Sequence, residues 1–357
     1  MYKVTFTHIL FSIFIWIFAF FKYRKALRYN NESNYWIFGG IVTLFSVYAF
    51  FVGDFWSYYE LYDEISQGRP GYSLEEFYTY LMINTSRNYF LWRLIVWGAS
   101  TCFLILLLKR LNVSKSFSFY IFVLVLMTYF CAPRNTLGFI VMYYFYSFLL
   151  VPCKGRLFSY IIGLLGMFLS VIFHNSMPIY ILLALLALFP FKRWMYKVAI
   201  LIFPIIYISF NYLSKNVLDL SFGGEAFKDL GTSYLDAENE VAWSIMGYFQ
   251  MIVYRLPILI ILYKLINLLF ETKKSEENTI VRVLTTNSFF LFYLSFLFLN
   301  QPVSAFLYNR FWDAGLYPFF LAVSLGLYNN NSKLVLKCYK LLVFATMYSF
   351  LYNLYKV

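Results

Sequence analysis

Apolar runs of about 18–20 residues recur along almost the whole chain, each long enough to cross roughly 30 Å of hydrocarbon as a helix. A helix satisfies its own backbone hydrogen bonds and so tolerates lipid on every side. A water-soluble fold has no room to bury so many of them: 62% of the 357 residues are hydrophobic and mean hydropathy is +0.67. The runs do not alternate apolar and polar positions, which argues against the strands of a membrane β-barrel. The expected fold is an all-α polytopic integral membrane protein of about twelve transmembrane helices. They fall near 4–21, 35–52, 89–108, 117–132, 136–151, 157–173, 176–190, 198–213, 243–263, 283–299, 312–328 and 338–355. With no fixed-period repeat, low-complexity tract or soluble module, residues 1–357 read as a single transmembrane domain.

Basic clusters close every second run, as in Lys22/Arg24/Lys25/Arg28, Lys109/Arg110/Lys115 and Lys192/Arg193/Lys197. Lys and Arg hold cytoplasmic loops in place, so this beat sets the orientation. With the N-terminus outside, the inner connections take most of the 29 bases but only Glu32, Glu271, Glu276 and Glu277 of the 17 acids. The first run, Val4–Phe21, has its basic cluster after it. It therefore reads as an uncleaved helix rather than a signal peptide. The formal net charge of +12 is explained by these loops facing an anionic leaflet, and nucleic acid is not expected as a partner. Cys102, Cys131, Cys153 and Cys338 show no CxxC spacing. They read as small membrane-embedded residues. With only His8 and His174 present, a histidine-based metal site is not expected.

Two connections on the outer side are long. Residues 53–88 include a short amphipathic segment, Leu74–Ile83, expected to lie on the membrane surface. Residues 214–242 are acidic and turn at Gly223–Gly224.

The chemistry-bearing residues gather at the same outer boundary. Gly53 and Asp54 follow the second run, with Tyr58 and Tyr59 able to pack on sugar faces. Pro133, Arg134 and Asn135 form the turn into the fifth run, where a guanidinium beside a helix N-terminus makes an anion site. His174 and Asn175 lie in the turn between the sixth and seventh runs, and an imidazole there could accept a proton from a sugar hydroxyl. Arg310 repeats the logic of Arg134, with Asp313 one helical turn on. Arg93 and Arg255 fall inside apolar runs, where a guanidinium is costly unless it faces a cavity or an anionic partner. Each signal also has a bland reading. Arg134 could reach lipid phosphates, His174 could be a hydrogen-bonded interfacial residue, and Arg310–Asp313 could be a weak surface pair. Together they suit an anion held at the membrane surface, such as a lipid-linked pyrophosphate clamped by arginines.

The stretch Pro133-Arg134-Asn135-Thr136-Leu137-Gly138-Phe139, the basic turn at Lys154 and Arg156, and Phe173-His174-Asn175-Ser176 resemble the EpsG family of Wzy-like O-antigen and exopolysaccharide polymerases. Gly53, Asp54 and Tyr58 stand at a place compatible with that family's Gly-x-Asp-x-x-x-Tyr-like motif, and Arg310 matches its arginine before a late helix. An Arg-x10-Gly pattern, present in some Wzy proteins, does not start from Arg69, Arg134 or Arg310.

The resemblance implies a GT-C-like membrane glycosyltransferase in the bacterial cytoplasmic membrane, its active site facing the periplasm or cell exterior. The donor and acceptor would be oligosaccharides on undecaprenyl pyrophosphate, with membrane lipids as surroundings and a chain-length regulator as a conceivable partner. His174 or Asp54 would be the base. Arg134, Arg310, Arg69, Arg87 and Arg255 would bind pyrophosphate, supported by Asn135, Asn175, Asp313 and Arg93. No metal or other cofactor is expected, because arginines can stabilise so good a leaving group. An O-antigen ligase, or a flippase or transporter of lipid-linked oligosaccharide, stands as the alternative.

Overall fold

In the computed structural model the described residues are 35–48, 53–67, 76–85, 88–113, 133–153, 155–217, 245–271, 276–298 and 304–326, plus isolated positions 10, 13, 14, 17, 21 and 340. Among them there is no strand. The helices are α1 (Tyr35–Val47), α2 (Gly53–Ser66), α3 (Glu76–Asn84), α4 (Tyr89–Arg110), α5 (Pro133–Leu150), α6 (Arg156–Leu169, extended by a 3-10 turn at Ser170–Ile172), α7 (Met177–Leu186), α8 (Arg193–Val217), α9 (Ile245–Glu271), α10 (Glu276–Leu297) and α11 (Ser304–Gly326). Helix α4 and residues Thr279–Leu297 of α10 are long and apolar enough to cross a membrane. The expected runs at 117–132 and 338–355, most of 4–21, and nearly all of the 214–242 connection lie outside the described residues.

Nine apolar runs read from the sequence each overlap a helix, and the ends differ by up to eight residues. The clearest difference is at Gly53. The sequence places a loop there, but Gly53 opens α2. Its Tyr and Phe side chains find a surface to bury against, and that compensates the weak helix preference of aromatics. Helix α3 falls close to the expected amphipathic segment. Tyr78 and Met82 are buried on one side, while Tyr80 and Ile83 are exposed on the other.

The main packing runs α1–α4–α5–α6, and a second pair is formed by α10 and α11. Small residues allow the close approaches. Gly163 and Gly166 of α6 face Phe145 and Leu149 of α5, and Gly315 of α11 faces Phe292 of α10. Apolar helices in lipid gain nothing from hiding from each other, so such contacts depend on fit. Hydroxyls add polar links: Thr43 meets Thr101 at 2.8 Å between α1 and α4, and Tyr196 meets Thr286 at 2.6 Å between α8 and α10.

A smaller aromatic core mounts α2 and α3 over one end of α4 and α5. It contains Phe55, Tyr62, Tyr78, Met82, Tyr89, Trp92 and Leu137. The Tyr89 hydroxyl donates to the Phe55 carbonyl at 2.8 Å, and Tyr62 meets Thr85 at 2.7 Å. This mounting carries Tyr58 to the start of α5.

Candidate functional site

Pro133 takes the first position of α5, where its missing N–H costs nothing. Arg134 and Asn135 follow in the first turn. The Arg134 Nε donates to the Tyr58 hydroxyl at 2.7 Å, and its guanidinium carbon lies 5.5 Å from the Tyr58 ring centre. Tyr78 donates to the Arg134 carbonyl at 3.5 Å. Arg134 is thus gripped by both α2 and α3.

His174 sits in the turn from the 3-10 segment to α7. Its amide donates back to the Ser170 and Val171 carbonyls, and the residue is 6% exposed. Arg310 of α11 donates from Nη1 to His174 Nε2 at 3.1 Å. A guanidinium can only donate, so this bond requires Nε2 to accept and the ring proton to sit on Nδ1. Nδ1 lies 2.9 Å from Ser176 Oγ and 3.1 Å from the Ser176 amide. The Ser176 amide is likewise a donor only, and a neutral ring accepts at one nitrogen, so Arg310 at Nε2 and the Ser176 amide at Nδ1 compete for its single lone pair. Burial first, and then the charges of Arg310 and Arg134, push the imidazole down to about 3. His174 is therefore neutral at physiological pH.

Next to this pair is a small cleft, partly open to the exterior. Asn135, Thr136 and Phe139 of α5 form one wall. Arg310, Asp313 and Tyr317 of α11 form another, and Ser176 and Tyr180 complete it. Asp313 is one turn from Arg310 on the same face, within electrostatic reach of both Arg310 and Arg255. Tyr317 hydrogen-bonds Thr136 and so ties the two walls together. His174 and Arg134 are set back from the cleft surface, one bonded to Arg310 and the other bearing on His174 through charge.

Arg255 of α9 reaches the same end of the bundle. Its Nη2 donates to Asn309 Oδ1 at 2.7 Å, and its guanidinium lies 4.9 Å from the Trp312 ring centre. The structure thus brings together Arg134, Asn135, His174, Arg255, Arg310 and Asp313 from four segments distant in sequence. Asn175 is exposed in the His174 turn. Asp54 lies in the first turn of α2, its side chain outside the described residues, as are Arg69 and Arg87.

Arg93 stands apart. It is 1% exposed and donates to the carbonyls of Val47 at 3.0 Å and Ser46 at 2.6 Å, and to the Tyr89 hydroxyl at 3.1 Å. Its partner is the C-terminal end of α1, where free carbonyls and the helix dipole favour a cation. The sequence reading expected a cavity or an anionic ligand; the last turn of a helix fills that place. Tyr58, Thr136, Tyr180 and Tyr317 are site residues that sequence reasoning missed or assigned to other work. The Tyr58 spacing was visible, but sugar stacking was the role inferred from it. In comparisons with known proteins, no family model, no curated protein and no solved structure matches the chain.

Proposed function

We propose that this protein is a polytopic membrane glycosyltransferase of GT-C-like build, with about twelve spans and its N-terminus outside. It joins polysaccharide repeat units at the outer face of a bacterial cytoplasmic membrane. The growing glycan moves from one undecaprenyl pyrophosphate to the repeat unit carried by another.

The observation that carries this reading is the convergence of Arg134, Arg310, Arg255, Asp313 and His174 on one end of an apolar bundle, around a shared cleft. Cations brought together there at the cost of desolvation need a purpose, and a diphosphate at the level of lipid phosphates supplies one. Arg310 faces the cleft directly and would stabilise the charge that develops on the leaving pyrophosphate. Arg134 adds positive potential from behind, and Asn135 and Thr136 offer polar groups in the first turn of α5. The opposite end of the bundle carries a different set of bases. Arg110 donates to the Val151 carbonyl at 2.6 Å, and Arg193 to Asn267 at 3.0 Å. That end suits the cytoplasm. Apolar side chains exposed along α6 and α8, among them Leu157, Leu165, Leu201 and Ile208, suit a lipid exterior.

Arg310→Ala tests the reading. Surface glycan from cells carrying it should collapse from a ladder of lengths to single attached repeat units, with protein amount unchanged. A full-length ladder at normal protein levels would refute the role of Arg310. Loss of all attached glycan, single units included, would instead indicate a ligase.

A further inference from the structure

The polymerase reading leaves the proton unassigned. Attack by an acceptor hydroxyl requires a group in the cleft that can take its hydrogen, and His174 is the obvious choice by residue type. The geometry argues otherwise. At Nε2 the ring meets the Arg310 guanidinium at 3.1 Å. At Nδ1 it meets the Ser176 amide at 3.1 Å and the Ser176 hydroxyl at 2.9 Å, so a donor stands before each ring nitrogen. A guanidinium does not surrender its proton in a protein, so His174 has nothing left with which to accept one. It is also set back from the cleft surface, whereas Asp313 lines that surface beside Arg310. Among the described residues Asp313 is the only carboxylate in the cleft.

We propose that Asp313 is the proton acceptor of this site and that His174 is a positioning residue, holding Arg310 at the angle from which it meets the diphosphate. The assignment rests on the polymerase reading above. In the step itself, the acceptor hydroxyl oxygen forms a bond to the anomeric carbon of the donor glycan as the bond from that carbon to the pyrophosphate oxygen breaks. The electron pair of the broken bond leaves on the pyrophosphate, facing Arg310. The hydroxyl proton passes to the Asp313 carboxylate and from there to water or the departing diphosphate. Asp313 is placed for both halves of this exchange. It shares a helix face with Arg310, so the group that takes the proton and the group that meets the leaving charge move as one unit. Arg255 and Arg310 both lie within electrostatic reach of its carboxylate.

The experiment separates the two roles by what each substitution preserves. Glutamine places an amide oxygen close to where Nε2 stands and can accept from Arg310, but it cannot act as a base. His174→Gln should keep polymerisation of lipid-linked repeat units within about 5-fold of wild type, while His174→Ala loses roughly 50-fold or more. Asp313→Asn should lose about 100-fold or more, in the range expected for removal of a general base. Polymer from Asp313→Asn near the wild-type level, or loss in His174→Gln equal to that in His174→Ala at normal protein levels, would overturn the assignment.

Should the Asp313 variant fold poorly, nitrogen-15 NMR of histidine-labelled wild-type protein gives a reading independent of activity. The chain has only two histidines, so subtracting the His174→Gln spectrum identifies the signal. The Nδ1–H tautomer is expected, and an Nε2–H tautomer would overturn the proposal. If the wild-type protein itself makes no polymer from lipid-linked units, the polymerase reading falls and takes the Asp313 assignment with it. That outcome differs from polymer in the wild type with loss in His174→Gln, which removes the assignment alone.

Discussion

At the scale of single residues, Arg93 and Arg310 are both arginines near the same end of apolar helices, and the structure gives them opposite employment. Arg93 closes α1: two backbone carbonyls and one phenol take its donors, and its guanidinium carbon lies 4.6 Å from the Phe55 ring centre. Replacing it with leucine leaves the Ser46 and Val47 carbonyls without that donor, at roughly 1.5–3 kcal/mol for each charge-assisted bond lost. Arg93→Leu is therefore expected to lower the thermal midpoint of the detergent-solubilised protein clearly. Arg93→Lys should recover only part of the loss, since an ammonium cannot fork to both carbonyls and the phenol. An unchanged midpoint in Arg93→Leu would show that α1 closes without it. Arg310→Ala should behave in the reverse way, with lost polymer and a midpoint close to wild type.

Among elements, the α5–α6 pair is the most sensitive contact because both Gly163 and Gly166 lie against Phe145. A Cβ on Gly166 would overlap the root of the Phe145 ring, which cannot swing aside as the tip of a flexible side chain could. Gly166→Val is expected to destabilise by about 1–3 kcal/mol, as overpacking does in a filled interior, and to reduce protein amount in membranes. Thermal melts of purified protein measure this, and a wild-type melt would mean the helices separate freely. Displacement of α6 would also carry the His174 turn away from Arg310, so activity should fall with it.

The helices themselves were legible because hydrophobicity persists over a full crossing, a signal that needs no knowledge of neighbours. Helix α2 was not. Its GDFWSYYELYDEIS sequence is too polar to read as a crossing, and its stripe of Phe55, Tyr58, Tyr59, Tyr62 and Ile65 is folded onto an aromatic surface supplied by α3 and α4. The site was half legible. Arg134, His174 and Arg310 were visible as polar residues at run boundaries, but their mutual distances depend on how α5, α7 and α11 pack. So does the setting of His174 Nε2, because nothing local to its turn indicates that an arginine 136 residues later reaches it.

For the molecule as a whole, orientation is the property from which the rest follows, and a cysteine reports it. Cys153 is exposed in the turn between α5 and α6. Hydrogen bonding to Arg110 holds its thiol below the ordinary value, which raises the reactive thiolate fraction near neutral pH. Cys102 is exposed too, but on the apolar flank of α4, where a charged reagent in water does not reach. In a variant lacking Cys131 and Cys338, a membrane-impermeant maleimide is expected to label Cys153 in inside-out vesicles and leave it unlabelled in sealed right-side-out ones. The opposite pattern would turn the bundle over and put the cleft in the cytoplasm.

Helix α7 is only 10 residues long. At 1.5 Å per residue it rises about 15 Å, half of a typical hydrocarbon core. On the polymerase reading, a segment that short, starting from the His174 turn, would set Arg310's partner below the mean plane of the headgroups. A sugar carried on a long isoprenoid would bring its phosphates to that depth without leaving the lipid phase, whereas a soluble nucleotide sugar would have to descend into it. The short helix would then act as a depth gauge, favouring donors that arrive from the side with their charge already at the right level.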